Sequence, residues 1–248
     1  MMIRRIIYTL VLVCSVVCAE AQVGEYRNVF SLGIGGGYAL NTVTFQPTVT
    51  QTMHGGITGG IALRYTCEKY FSTICAVQME VNYAQLGWKQ DIKTIEGKEV
   101  VNPATGVKEE YSRDQNYVQI PLLAHLAWGR EQNGVCGFLN LGPQFGFSLS
   151  ESTHKTYDTP YFGGDDTPGR VNVVSAQESM PIENTFDYGI TAGAGVEYHR
   201  QGIGRFALEG RYYYGLGNIF GDSKRDYFGT SNHSTIYVKL TYMFDLNR

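Results

Sequence analysis

The sequence predicts an all-β chain: an eight-stranded antiparallel up-and-down transmembrane β-barrel with short periplasmic turns and long extracellular loops. Three observations predict it. Large apolar residues recur at every second position in eight separate runs, which is the period of a strand and not of a helix. The residues between them are small or polar, so each run has one greasy face and one bare or charged face. The connections alternate long and short along the chain, which is how a transmembrane barrel sorts its outer loops from its periplasmic turns.

Composition narrows the alternatives. The 248 residues are 43% hydrophobic and 17% charged, with 30 Gly and 7 Pro, a size that single all-β barrels commonly reach. A net charge of −3, without any polybasic or polyacidic run, argues against nucleic acid as a partner. Mean hydropathy is −0.18, and no segment approaches the roughly 18 to 20 consecutive apolar residues of a spanning helix. An α-helical membrane protein is thereby excluded. A barrel hides its hydrophobicity in alternation and stays compatible with these values.

The chain opens with Arg4 and Arg5, an apolar stretch from Ile6 to Cys18, and Ala19-Glu20-Ala21. This reads as a signal peptide over residues 1–21, cleaved after Ala21, leaving a barrel domain over 22–248. Export through the inner membrane of a Gram-negative bacterium to its outer membrane follows, with outer-membrane lipid as the surrounding partner. Losing two arginines and one glutamate takes the mature chain from −3 to −4.

The first strand is Phe30 to Leu40, where Ile34 and Tyr38 alternate with Gly. The second and third are Ile57/Gly59/Ile61/Leu63/Tyr65 and Cys75/Val77/Met79/Val81/Tyr83. Val118 to Trp128 and Val135 to Phe147 form the fourth and fifth. Phe186 to Tyr198, Phe206 to Tyr214 and Ile236 to Phe244 complete the eight. Several exceed the roughly 9 to 11 residues a tilted strand needs to cross a bilayer. The connections expected between them are 41–56, 66–72, 91–112, 129–134, 150–183, 200–204 and 219–233, alternately long and short.

Tyr and Trp collect at membrane–water interfaces. Tyr65, Trp128, Tyr198, Tyr242 and Phe244 fall at periplasmic strand ends, and Tyr38, Tyr83, Phe147 and Tyr214 at outer ends, giving two aromatic girdles. If the apolar face meets lipid, the opposite face lines the lumen. That face carries Arg64, Arg211 and Lys239 against Glu80, Asp187, Glu197 and Glu209. An eight-stranded barrel is just filled by its side chains, so these seven are expected to form a compensated ionic cluster that closes the lumen.

No motif for metal, phosphate or nucleophilic catalysis is present, so no catalytic residue, metal or cofactor is expected. His154 with Ser150 or Ser152 is the one pair that a lipid-modifying enzyme would use at the outer rim. Cys67 and Cys75 flank a hairpin turn, where they are either a disulfide or two small apolar strand residues. The long loop 150–183 mixes Tyr157, Tyr161 and Phe162 with Asp165 and Asp166; it reads either as a partner-binding loop or as a solvated shield over the rim.

Several segments also carry a resemblance: Ala76-Val77-Gln78-Met79-Glu80-Val81-Asn82-Tyr83, Tyr117-Val118-Gln119-Ile120-Pro121-Leu122-Leu123, Gly193-Ala194-Gly195-Val196-Glu197-Tyr198 and Arg211-Tyr212-Tyr213-Tyr214-Gly215-Leu216. The chain resembles the PorT-like outer-membrane β-barrel family over most of its mature length. The resemblance implies the barrel fold and outer-membrane location. Through the member that gives the family its name, it also implies an accessory role beside other envelope or secretion proteins.

Overall fold

The computed structural model describes residues 24–103, 105–164, 168–221 and 227–247. The expected signal peptide lies outside the described residues. Among the described residues nine strands are present: β1 (Glu25–Gln46), β2 (Gln51–Thr52), β3 (His54–Tyr70), β4 (Thr73–Gln90), β5 (Tyr111–Gly129), β6 (Gly134–Lys155), β7 (Phe186–Arg200), β8 (Gly204–Gly215) and β9 (Thr230–Asp245). Eight of them pair antiparallel with their chain neighbours, and β1 pairs with β9 to close the barrel. The ninth, β2, is a two-residue strand laid against the outer end of β4.

Every predicted strand is present, and most extend well past their predicted outer ends. β1 and β6 each run for 22 residues, twice what a bilayer crossing requires. The expected first loop at 41–56 is therefore a correction: β1 continues to Gln46, and β3 begins at His54. The reason is chemical. Above the membrane the same alternation carries apolar Val43 and Phe45 inward and Thr42, Thr44 and Gln46 outward, the reverse of the lipid-facing pattern.

Within the membrane the two faces separate sharply. Ile34, Ile57, Val77, Leu139, Val196 and Leu240 stand exposed on the outside, while Gln78, Glu80, Gln119, Asn140, Gln144 and Arg211 are buried inside. In β5 the outward apolar series from Val118 to Trp128 covers eleven residues. At the usual rise and tilt that is roughly 26 Å, the height of an outer-membrane apolar band. Three short turns close the periplasmic end, with Phe71 (φ 51°), Asn133 (φ 50°) and Gly202 (φ 80°) in the left-handed region that tight turns use.

Candidate functional site

Two layers lie on the barrel axis, an ionic plug within the membrane and an apolar cap above it. The plug is built from inward positions of β3, β4, β7, β8 and β9. The Arg211 guanidinium donates from Nη1 and Nη2 to the two Glu80 oxygens at 2.9 and 2.8 Å, and from Nε and Nη2 to Glu209 at 2.9 and 2.8 Å. Lys239 Nζ donates to Glu80 Oε2 at 2.6 Å, and Asn82 Nδ2 donates to the same oxygen at 2.8 Å. Nearer the periplasm, Arg64 Nη1 donates to Glu197 at 2.5 Å. Gln78 joins the two groups, accepting from Arg64 Nε at 2.8 Å and donating to Glu80 Oε1 at 2.6 Å. Glycine on the same walls makes room for these long side chains: a Cβ on Gly193 would stand 2.3 Å from Glu209 Oε1.

The structure thus brings six of the seven sequence-predicted charges into one network. Asp187 stands apart, toward the outer end, where it accepts from Tyr213 Oη at 2.8 Å; among the described residues no cation pairs with it. Inward positions near it are aromatic or amide, with Tyr117, Tyr237, Gln119 and His233 buried there. Sequence reasoning omitted Arg205, which reaches Glu197 at 3.4 Å and Asp245 at 3.5 Å near the periplasmic opening. Its place next to the Gly204 turn gave no periodic signal.

The cap was also unforeseen. Val43, Phe45, Val49, Trp88, Ile92, Val100, Tyr111, Tyr157, Ile219, Phe220 and Phe228 form an apolar core over the barrel mouth, drawn from the outer strand ends and from four loops. Phe45 packs against Trp88, Phe220 and Phe228 at ring separations of 5.5, 6.1 and 5.0 Å. Beside it, Arg170 is fully buried between Glu109 at 3.0 Å and Glu178 at 2.8 Å. Arg170 also lies over the Tyr157 ring at 4.9 Å, and burial pushes the Tyr157 phenol above its ordinary value. Arg113 fastens the loop to β5, donating from Nη1 to Met180 O at 2.6 Å.

The aromatic residues at the strand ends lie on the outward face, exposed or half-buried. Several polar tips are anchored: Tyr65 Oη donates to Asn28 Oδ1, Tyr83 Oη to Asn116 Oδ1 and Trp128 Nε1 to Thr73 Oγ1, each at 2.7 Å. An apolar body with a satisfied polar edge suits the membrane interface.

Of the two readings of Cys67 and Cys75, the structure holds free thiols, with a bulge after Thr66 setting Glu68 opposite Cys75. Tyr157, expected in a partner-binding loop, is buried in the cap, and Tyr161 packs half-buried against it; Phe162 is exposed. Asp165 and Asp166 lie outside the described residues. Ser150, Ser152 and His154 are on exposed β6, where Ser150 Oγ accepts from Asn116 Nδ2 at 2.9 Å instead of serving His154.

Among the described residues no cluster of His, Cys, Asp or Glu is arranged to hold a metal ion, and no helix is long and apolar enough to cross a membrane. A family model described as the outer membrane protein beta-barrel domain matches residues 20–221. No curated protein matches the sequence significantly. Similar solved structures include Ail of Yersinia pestis (14% identity, 89% of this chain and 99% of that one, TM-score 0.34). Neisserial surface protein A (NspA) gives 12%, 87%, 97% and 0.40, and OprG of Pseudomonas aeruginosa gives 10%, 89%, 98% and 0.41. The chain belongs to the outer membrane protein beta-barrel domain family, and its place is the outer membrane of a Gram-negative bacterium.

Proposed function

We propose that residues 22–248 are a single barrel domain acting as a non-enzymatic structural or interaction protein through its extracellular cap, with the ionic plug keeping the lumen closed. The observation that carries this reading is the cap itself. Its loops are cross-tied by the buried Glu109–Arg170–Glu178 group and by a backbone bond from Val171 N to Lys93 O at 2.9 Å. The same loops hold Ile95, Phe162, Val173 and Tyr227 out in water at 86%, 52%, 73% and 53% exposure. These residues lie above the aromatic girdle, so lipid does not cover them. Ordered loops presenting apolar side chains on a rigid scaffold are where binding concentrates.

Membership in the PorT-like branch, with an accessory role in protein secretion, is the second reading. It is supported by the Tyr117–Leu123 and Arg211–Leu216 motifs, which lie on β5 and around the end of β8. One experiment tests both. The tagged protein is extracted gently from native outer membranes after mild crosslinking, beside an Ile95→Ser/Val173→Ser variant. A partner recovered with the wild type and lost with the variant supports the cap. Secretion components recovered in fixed ratio with both proteins support the second reading. Recovery of the barrel alone from both removes the interaction role.

A further inference from the structure

The periplasmic end of the barrel opens into a cavity of about 480 Å³, within the range of small-ligand pockets. At its inner end it narrows to about 10 Å³ beside Arg64 and Glu197, so it is a blind vestibule and not the mouth of a channel. Its polar wall contains Arg205, whose ion pairs are longer than those of Arg64, Arg211 and Lys239 deeper in the lumen. Charge-assisted pairs run at about 2.7 to 2.9 Å, and Arg211, Arg64 and Lys239 keep theirs between 2.5 and 2.9 Å. Arg205 instead sits 3.4 Å from Glu197 and 3.5 Å from Asp245, with side-chain exposure of 15%, and its Nε has no hydrogen-bond partner. Thr66, which lines both the vestibule and its neck, is 4% exposed, and its hydroxyl is also without a partner. Buried donors left unmatched are uncommon, and each calls for an acceptor. Across the cavity Val29 and Ile74 provide apolar wall, and Tyr26 provides an exposed ring.

We propose that this vestibule binds the terminal carboxylate of a short peptide, with Arg205 and Thr66 as the carboxylate-facing groups and Val29, Ile74 and Tyr26 accepting small aliphatic side chains. Arg205 supplies a charged fork whose existing bonds are long enough to yield, and the Thr66 hydroxyl adds a neutral donor. Free C-terminal carboxylates of this size occur in the periplasm on cell-wall stem peptides and on polypeptide ends. The chemistry is shared, and the stereochemistry of the last residues separates the two sources.

The test uses the full-length barrel in lipid nanodiscs, followed by amide NMR during titration with diacetyl-Lys-D-Ala-D-Ala, diacetyl-Lys-L-Ala-L-Ala and the C-terminal amide of each. Saturable shifts confined to the vestibule, and affinity at least tenfold lower for the amides, are expected. Arg205→Gln is expected to lose a further tenfold or more against the free acids. Should that variant fail to fold, Thr66→Val carries the test: it replaces a hydroxyl that bonds nothing in the barrel, and binding is expected to drop about threefold with the heat-modifiable mobility of the barrel unchanged. Preference for the D,D or the L,L peptide assigns the source to cell wall or polypeptide. Equal binding of acid and amide, wild-type affinity in either variant, or absence of a saturable shift overturns the site.

Discussion

Along β4 the inward residues run Gln78, Glu80, Asn82, Ala84, Leu86, Trp88, and along β1 they run Gly35, Gly37, Ala39, Asn41, Val43, Phe45. Within one strand the inside of the barrel passes from charged or bare to apolar with no change of register. The outside makes the opposite passage, from Val81 and Tyr83 to Lys89, and from Ile34 and Tyr38 to Thr44 and Gln46. Geometry is the same in both halves and the surrounding solvent differs. Where lipid surrounds the strand, the apolar face turns out and the polar remainder must satisfy itself inside. Where water surrounds it, burial of apolar surface turns the same alternation inside out. The plug is therefore held by matched charge, and the cap by packing.

The strongest way to separate the two is to remove charge from the first. Arg211→Ala leaves Glu80 and Glu209 facing each other in the lumen with Lys239 as the nearest cation, and breaking a buried pair this way costs about 3 to 5 kcal/mol. Urea unfolding of the protein in vesicles is the measurement, and a change below about 1 kcal/mol would show that the plug is not held by matched charge.

Trp88→Ala asks the corresponding question of the cap. Loss of a fully buried Trp costs about 3 to 5 kcal/mol, here expected as opening of the cap alone. Limited proteolysis within 156–185 should accelerate, with the barrel still migrating as a compact band in unheated gels. An equal loss in the urea transition of the whole barrel would mean that plug and cap unfold together.

The boundary between the halves is sharpened by two arginine substitutions on the outward face. Leu240→Arg, midway along the β9 apolar series, should cost about 2 to 4 kcal/mol of barrel stability. Thr44→Arg, on the same face above the girdle, should cost less than about 0.5 kcal/mol. Similar values for both would place Thr44 in lipid.

The membrane half was legible in the sequence because lipid enforces strict alternation over eight runs, and because a charge at a bare position has only the lumen to enter. Arg64, Glu80, Glu197, Glu209, Arg211 and Lys239 could be assigned inward on that basis alone. Asp187 had the same parity and was grouped with them wrongly, since parity gives a face and not a height. The cap was illegible for a different reason. Trp88, Tyr157, Phe220 and Phe228 lie far apart in the chain, and three of them sit in or beside irregular loops where no period exists to mark a buried side. Their burial follows from loops meeting in space. Arg205 gives no periodic signal because it adjoins a turn, and Cys67 and Cys75 stay open between disulfide and free thiols because a bulge cannot be seen in composition.

A charge effect smaller than that of Arg211→Ala belongs to the periplasmic rim, where plug-type chemistry meets water. Glu131 sits in the turn between β5 and β6 and pairs with Lys69 at 2.5 Å and Arg27 at 2.9 Å. Burial acts to raise its carboxyl, but the hydrogen bond from Lys69 and the charges of Arg27 and Lys69 outweigh it, so the folded group titrates below the ordinary carboxylate range. A depressed folded value means that the pair stabilises the barrel above the unfolded value of about 4.3, and that this contribution disappears as pH falls through the folded value. The side chain is 25% exposed, and pairs of this kind contribute about 1 kcal/mol or less. Glu131→Gln should therefore lower stability by up to that amount at pH 7, with the difference from the wild type shrinking as pH falls through and below the carboxylate range, measured by urea unfolding across a pH series. A deficit of the same size in acid would show that the Glu131 side chain acts through its packing and hydrogen bonds and not through its charge.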